Sequence, residues 1–116
     1  MDRRVKTLIV DDHPLFRQGL RQLIQDDPSF ELVGEAEDGP AGLEMAGRSH
    51  AEVVVLDISL PSLNGLEVAR KLREKKTPAK IVILTMHKEE ELFNKAMNLD
   101  VQGYLLKDNA VADILK

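Results

Sequence analysis

Cysteine is absent from the 116-residue chain. That excludes a disulfide framework and any thiolate metal site, and it fits a cytoplasmic protein. No apolar run approaches the roughly 20 residues that a membrane helix needs, so no membrane span is expected. Strong charge of either sign is also missing. The net charge is -4, and this weak acidity argues against direct nucleic-acid contact by this domain, because phosphate binding needs a basic patch. Met1-Asp2-Arg3-Arg4 leads into a strand-like run, not a signal peptide. There is no internal repeat, low-complexity segment or linker, and the length suits one domain with one core.

What the chain does have is short, fully apolar runs that end in polar residues. Val53-Val54-Val55-Leu56 runs into Asp57, a pattern that reads as a strand buried on both faces. Val5 to Val10 is a first strand, followed by Asp11-Asp12-His13 and by Pro14, which suits the first turn of a helix. Phe16, Leu20, Leu23 and Ile24 give that helix one apolar face, and Asp27-Pro28 stops it. Phe30 to Ala36 is a second strand. Asp38-Gly39-Pro40 opens a weakly patterned second helix with Ala41, Leu43 and Ala46. After the third strand and the loop Ile58 to Gly65, residues Leu66, Ala69 and Leu72 mark a third helix.

The basic run from Arg70 to Lys76 reads as a solvated helix face that suits the negative end of the helix dipole. Ile81 to Leu84 is a fourth strand ending at Thr85. Leu92, Phe93, Ala96 and Met97 form the stripe of a fourth helix. Gly103 to Leu106 is a fifth strand ending at Lys107. Val111, Ile114 and Leu115 begin a fifth helix that the chain cuts short. Five strands alternating with helices imply an α/β fold, a doubly wound five-stranded parallel sheet. Its expected order is 2-1-3-4-5, flavodoxin-like, with the switch point between strands 1 and 3.

That order brings the strand ends together: Asp11 and Asp12 from strand 1, Asp57 from strand 3, Thr85 from strand 4 and Lys107 from strand 5. Three carboxylates in one crevice repel one another unless a cation offsets them. A hard divalent ion, Mg²⁺ or Mn²⁺, takes oxygen ligands and leaves room for phosphate oxygens. Lys107 suits a charge partner of Asp57 or of a phosphoryl group. A carboxylate can itself be the nucleophile and become an aspartyl phosphate.

Taken together, Val10-Asp11-Asp12-His13-Pro14, Leu56-Asp57 with Pro61 and Gly65, Leu84-Thr85 and Gly103-Tyr104-Leu105-Leu106-Lys107-Asp108 resemble the receiver domain of two-component response regulators. The resemblance covers essentially the whole chain. It is nearest to receivers of the NarL/FixJ (LuxR-type) kind, joined to a helix-turn-helix DNA-binding domain, and it implies the CheY-like fold. It implies that Asp57 accepts a phosphoryl group from a sensor histidine kinase. Asp11, Asp12, Asp57 and the backbone carbonyl of Ser59 would hold Mg²⁺, Lys107 would bind the phosphoryl group, and Thr85 and Tyr104 would form a switch pair. The domain is then not an enzyme but a phosphoacceptor that assists its own phosphorylation and dephosphorylation, the latter tuned by Ser59 and His87. Its partners would be the kinase and its own C-terminal DNA-binding domain, expected beyond this chain, with a homodimer left open. Departures from the common pattern are Asp108 where proline often follows the lysine, Met86 where a small residue is common, and Ser62-Leu63 where Gly-Met is frequent.

Plainer readings stand beside these. Asp11 and Asp12 can cap a helix, Thr85 can be an ordinary β-branched strand residue, and Lys107 can be solvated. Tyr104, the sole tyrosine, can be core or half-buried edge. His13, His50 and His87 lack metal-ligand spacing and read as surface histidines. Two other functions suit the same fold. A flavin- or nucleotide-binding domain needs a phosphate cradle after strand 1, where Asp-Asp-His-Pro stands. A Mg²⁺-dependent phosphohydrolase wants an acid/base carboxylate two residues after the nucleophile, where Ser59 stands.

Overall fold

The computed structural model describes residues 4–86 and 90–107. Five strands alternate with four helices in them: β1 Val5–Val10, α1 Pro14–Asp26, β2 Phe30–Ala36, α2 Gly39–Ser49, β3 Val53–Asp57, α3 Gly65–Glu74, β4 Lys80–Thr85, α4 Glu90–Asn98 and β5 Gly103–Leu106. The fifth helix expected at Val111, Ile114 and Leu115 lies outside the described residues.

All neighbouring strands pair in parallel, in the order β2-β1-β3-β4-β5. Alternate residues of a strand face opposite sides of the sheet, and the core divides accordingly. Leu8, Val10, Val54, Leu56, Ile81 and Ile83 pack with Ala46 of α2, Val68, Ala69 and Leu72 of α3 and Ala96 of α4. Ile9, Val55 and Leu84 pack on the other side with Leu20 and Ile24 of α1. The three central strands are therefore apolar on both faces, which explains their unbroken aliphatic runs.

Local chemistry sets the helix starts. Asp38 caps α2 by accepting the Ala41 N–H at 2.8 Å, and Asn64 caps α3 by accepting the Glu67 N–H at 3.0 Å. Gly65, the first residue of α3, lies so close to β3 that a Cβ there would stand 2.3 Å from the Asp57 carbonyl oxygen. Helix α3 thus approaches the end of β3 backbone to backbone.

Two sequence expectations change. Arg73 is not part of a solvated face. Its guanidinium donates to the carbonyls of Thr77 (3.1 Å), Ala79 (2.9 Å) and Asp100 (2.8 Å) and to Oε1 of Gln102 (3.0 Å). This joins the end of α3 to the segments that start β4 and β5. The α4 stripe is also divided: Ala96 is buried and Leu92 partly so, but Phe93 and Met97 are exposed. The helix covers the sheet with its small and γ-branched residues, while Phe93 turns to meet the ring of Tyr104 edge-on, centroids 5.3 Å apart.

Candidate functional site

Strand register builds the site. Val10 pairs with Leu56, so Asp11 and Asp57 follow side by side at neighbouring strand ends. Asp57 pairs with Leu84, and Thr85 comes one position later, opposite Leu106. Lys107 follows directly after the end of β5. The sheet edge therefore collects Asp11, Asp57, Thr85 and Lys107, and all four are buried. Asp12 is partly exposed beside them.

The ammonium of Lys107 stands 3.0 Å from Oδ2 of Asp57 and 3.0 Å from Oδ2 of Asp11. Its Nζ also lies 4.6 Å from the ring centre of Phe16, a cation–π placement that holds the charge in an apolar wall. Oδ1 of Asp57 accepts the Ser59 N–H at 3.1 Å. Burial pushes the Asp57 carboxyl above its ordinary value. The Lys107 and Ser59 hydrogen bonds and the Lys107 charge oppose this less strongly, and Asp11 adds to the rise.

Asp11 Oδ1 accepts the backbone N–H of His13 at 2.7 Å, tightening the turn after β1. Arg17 of α1 donates to the Asp11 carbonyl at 2.7 Å and reaches Glu35 at 3.1 Å and Glu37 at 3.2 Å. It thereby ties the ends of β1 and β2 to the helix.

These residues fit a divalent cation by chemistry and by burial. Donor atoms of Asp11, Asp12, His13 and Asp57 all lie within 4.8 Å of one another. Oδ2 of Asp11 and Oδ1 of Asp12 are buried and accept no hydrogen bond from the described residues, the Lys107 contact to Asp11 being an ion pair outside hydrogen-bonding geometry. Three carboxylates against one ammonium leave an excess of negative charge that a doubly charged ion offsets.

Two side chains of this site escaped sequence reasoning. His13 reads as a surface histidine, yet its half-exposed ring puts Nδ1 3.2 Å from Asp11, 3.4 Å from Asp12 and 3.3 Å from Asp57. Arg17 carries no sequence signal beyond helical spacing. Of the other expected residues, Ser59 is exposed after β3, and Tyr104 is half-buried in β5, in register with Ile83. His87 lies outside the described residues. The plain alternatives for Lys107 and for the Asp11-Asp12 pair do not hold. Lys107 is buried among carboxylates, and the residue at the N-cap of α1 is His13, not an aspartate.

A parallel 2-1-3-4-5 sheet with an acidic cluster at its switch point and a lysine after the strand two places along defines a class, and sequence comparison agrees with it. The sequence profile of the response regulator receiver domain matches residues 7–116, and the chain belongs to that family. Among its relatives is the nitrate/nitrite response regulator protein NarL of Escherichia coli (strain K12), 41% identical over 109 residues, covering 94% of this chain and 50% of that protein. The transcriptional regulatory protein DegU of Brevibacillus brevis is 32% identical over 107 residues, covering 92% of this chain and 45% of that protein. The chain spans about half the length of the curated relatives it matches.

Solved structures give the same answer. The signal receiver domain of NarL from Mycobacterium tuberculosis superposes with a TM-score of 0.92 at 33% identity, covering 97% of this chain and 90% of that one. A LuxR-family DNA-binding response regulator from Staphylococcus aureus gives 0.91 at 31% identity, covering 96% and 92%. Among the described residues no helix is long and apolar enough to cross a membrane.

Proposed function

We propose that this receiver domain is a phosphorylation-dependent switch in which Asp57 is the phosphoacceptor. One observation carries the reading: a buried carboxylate at the end of the central strand, held by Lys107 and facing Asp11 and Asp12 across the switch point. The Asp57 carboxylate attacks the phosphorus of a phosphohistidine on a partner sensor kinase. A P–O bond forms, the P–N bond breaks, and the imidazole leaves with the electron pair. Asp11, Asp12 and Asp57, with the Ser59 carbonyl, are the residues that would hold Mg²⁺ or Mn²⁺. When bound, such an ion neutralises charge on the transferred phosphoryl group. Lys107 supplies the fixed positive charge, and its hydrogen bond and charge oppose the rise that burial imposes on the Asp57 carboxyl.

The Thr85 hydroxyl is the group to bond the phosphoryl oxygens. Drawing it inward moves the segment after β4, and Tyr104 changes rotamer in response, a two-state element biased by a local charge event. In the full-length protein the domain would pass this change to a DNA-binding, transcription-regulating output domain, as the LuxR-type relatives suggest. Ser59 would tune loss of the phosphoryl group.

Intact mass after treatment with acetyl phosphate and Mg²⁺ tests the assignment. One added phosphoryl group is expected, labile to hydroxylamine and absent from Asp57→Ala. Label that survives the substitution refutes it. For the switch, Thr85→Ala should still accept the group but leave the NMR signals of β5 unshifted; a wild-type shift pattern removes Thr85 from that role.

A further inference from the structure

The carboxylate, lysine and threonine chemistry of this site does not explain His13. It stands at the N-cap of α1 with extended backbone, but its side chain makes no cap hydrogen bond. The ring turns instead into the acidic cluster, where Nδ1 lies 3.2, 3.4 and 3.3 Å from oxygens of Asp11, Asp12 and Asp57. The ordinary explanation is an imidazolium pairing with carboxylates. A second contact argues against it. Nδ1 lies 2.6 Å from the ammonium of Lys107. Ammonium is a donor only, so at that distance Nδ1 is placed as the acceptor facing the Lys107 charge.

Nδ1 of His13 and the oxygens of Asp11 and Asp57 thus surround one positive centre, the Lys107 ammonium, at 2.6, 3.0 and 3.0 Å. Adjacent ligands of an octahedral ion with bonds of about 2.1 Å lie roughly 3.0 Å apart. The Nδ1-to-carboxylate separations of 3.2 to 3.4 Å need to contract by only a few tenths of an ångström. Fixing the ring costs little desolvation, because its outer edge is already in solvent. A cleft of about 360 Å³ lined by His13, Leu15, Phe16, Met86 and Lys107 gives an ion a path in.

We propose that His13 is a metal ligand through Nδ1, and that it extends the site from hard Mg²⁺ to borderline first-row cations such as Co²⁺, Ni²⁺ and Cu²⁺. The proposal rests on the divalent-cation site put forward above. Its chemical basis is the preference of imidazole for these ions, where carboxylate and water suit Mg²⁺ and Mn²⁺. His13 is then a specificity-determining residue for the ion, not a general requirement for cation binding.

Calorimetric titration of Mg²⁺ and of Ni²⁺ into wild type, His13→Ala and His13→Gln tests this. His50 and His87 are present in all three proteins, so weak binding at those histidines cancels. The expected result is a loss of about tenfold or more in Ni²⁺ affinity in both variants, since losing even a group that merely orients a ligand costs about 10–100-fold. Mg²⁺ affinity should change little. With Cu²⁺, the electron paramagnetic resonance spectrum of wild type should show nitrogen coupling that His13→Ala lacks. Equal losses for Mg²⁺ and Ni²⁺ would assign His13 a structural role and overturn the proposal, as would unchanged affinities for both. If Mg²⁺ binds in an Asp12-dependent way and the Ni²⁺ to Mg²⁺ ratio does not respond to His13, only the His13 assignment falls. If wild type binds neither ion, the cation site itself falls with it.

Discussion

Gly65→Ala is the smallest change that should reach the phosphoacceptor from outside the site. A Cβ on Gly65 would lie 2.3 Å from the carbonyl oxygen of Asp57 and 2.9 Å from the Cα of Ile58, whereas real Cβ contacts essentially never fall under 3.0 Å. The neighbours are backbone, so no side chain can swing aside. Helix α3 and the end of β3 must separate by at least about 0.7 Å, the difference between those two distances. That shift strains the hydrogen bond from the Gly65 N–H to the Ile58 carbonyl, now 3.0 Å. Overpacking of this kind costs about 1–3 kcal/mol, and the weakened hydrogen bond adds up to about 1 kcal/mol. Against this, Ala gains at most about 1 kcal/mol over Gly in helix propensity. The net expectation is a loss of about 1–3 kcal/mol, a fall of roughly 5–15 °C in melting temperature for a domain of this size.

Gly19 and Gly47 supply the control. Both lie in helices, and a Cβ at either meets nothing within 4 Å. The same substitution there should raise stability by about 0.5–1 kcal/mol. Thermal unfolding followed by circular dichroism compares the three variants. Phosphorylation by acetyl phosphate should also slow in Gly65→Ala, because its displaced backbone carries Asp57. A Gly65→Ala protein that melts as high as Gly19→Ala would refute the close-approach reasoning.

Three further outcomes are expected. The raised Asp57 carboxyl favours its protonated form in the fold, so its contribution to stability is present below the ordinary value of 3.8 and lost as pH rises through the raised one. Without divalent ions, Asp57→Asn should therefore melt above wild type at pH 7, with the gap closing towards pH 4; a wild type that is the more stable at pH 7 contradicts this. Arg73→Ala removes a charged donor from three backbone carbonyls and should cost about 2–3 kcal/mol in urea unfolding, with Arg73→Lys recovering only part, and a loss under about 0.5 kcal/mol would show the staple to be dispensable. Arg17→Ala separates two effects by sign: through-space electrostatics predicts tighter Mg²⁺ binding when a positive charge leaves, whereas loss of the bond to the Asp11 carbonyl predicts roughly tenfold weaker binding. The second is expected in a Mg²⁺ titration, and a rise in affinity would remove Arg17 from the support of the site.

The order of elements and the fold were legible in the sequence because both follow from short-range pattern and a topological rule. Aliphatic runs such as Val53 to Leu56 have no solvent face to mark, so they announce strands buried on both sides. Helices between them force parallel crossovers, and the doubly wound order then sends Asp11, Asp57, Thr85 and Lys107 to one edge whatever their rotamers.

The tertiary structure alone decided where side chains go once they are there. His13 follows two aspartates and precedes a helical proline, a context that equally suits a solvated ring; in the fold its ring meets Lys107, 94 residues away in sequence, and Asp57. Arg73 sits in a basic run whose helical spacing says nothing of the carbonyls of Ala79 and Asp100 that it meets. Gly65 could be a mere helix start until the backbone of Asp57 is seen against it. In each case the deciding partner is brought close only by packing. Periodicity carries information about the face a residue occupies, but not about the single atom it will touch.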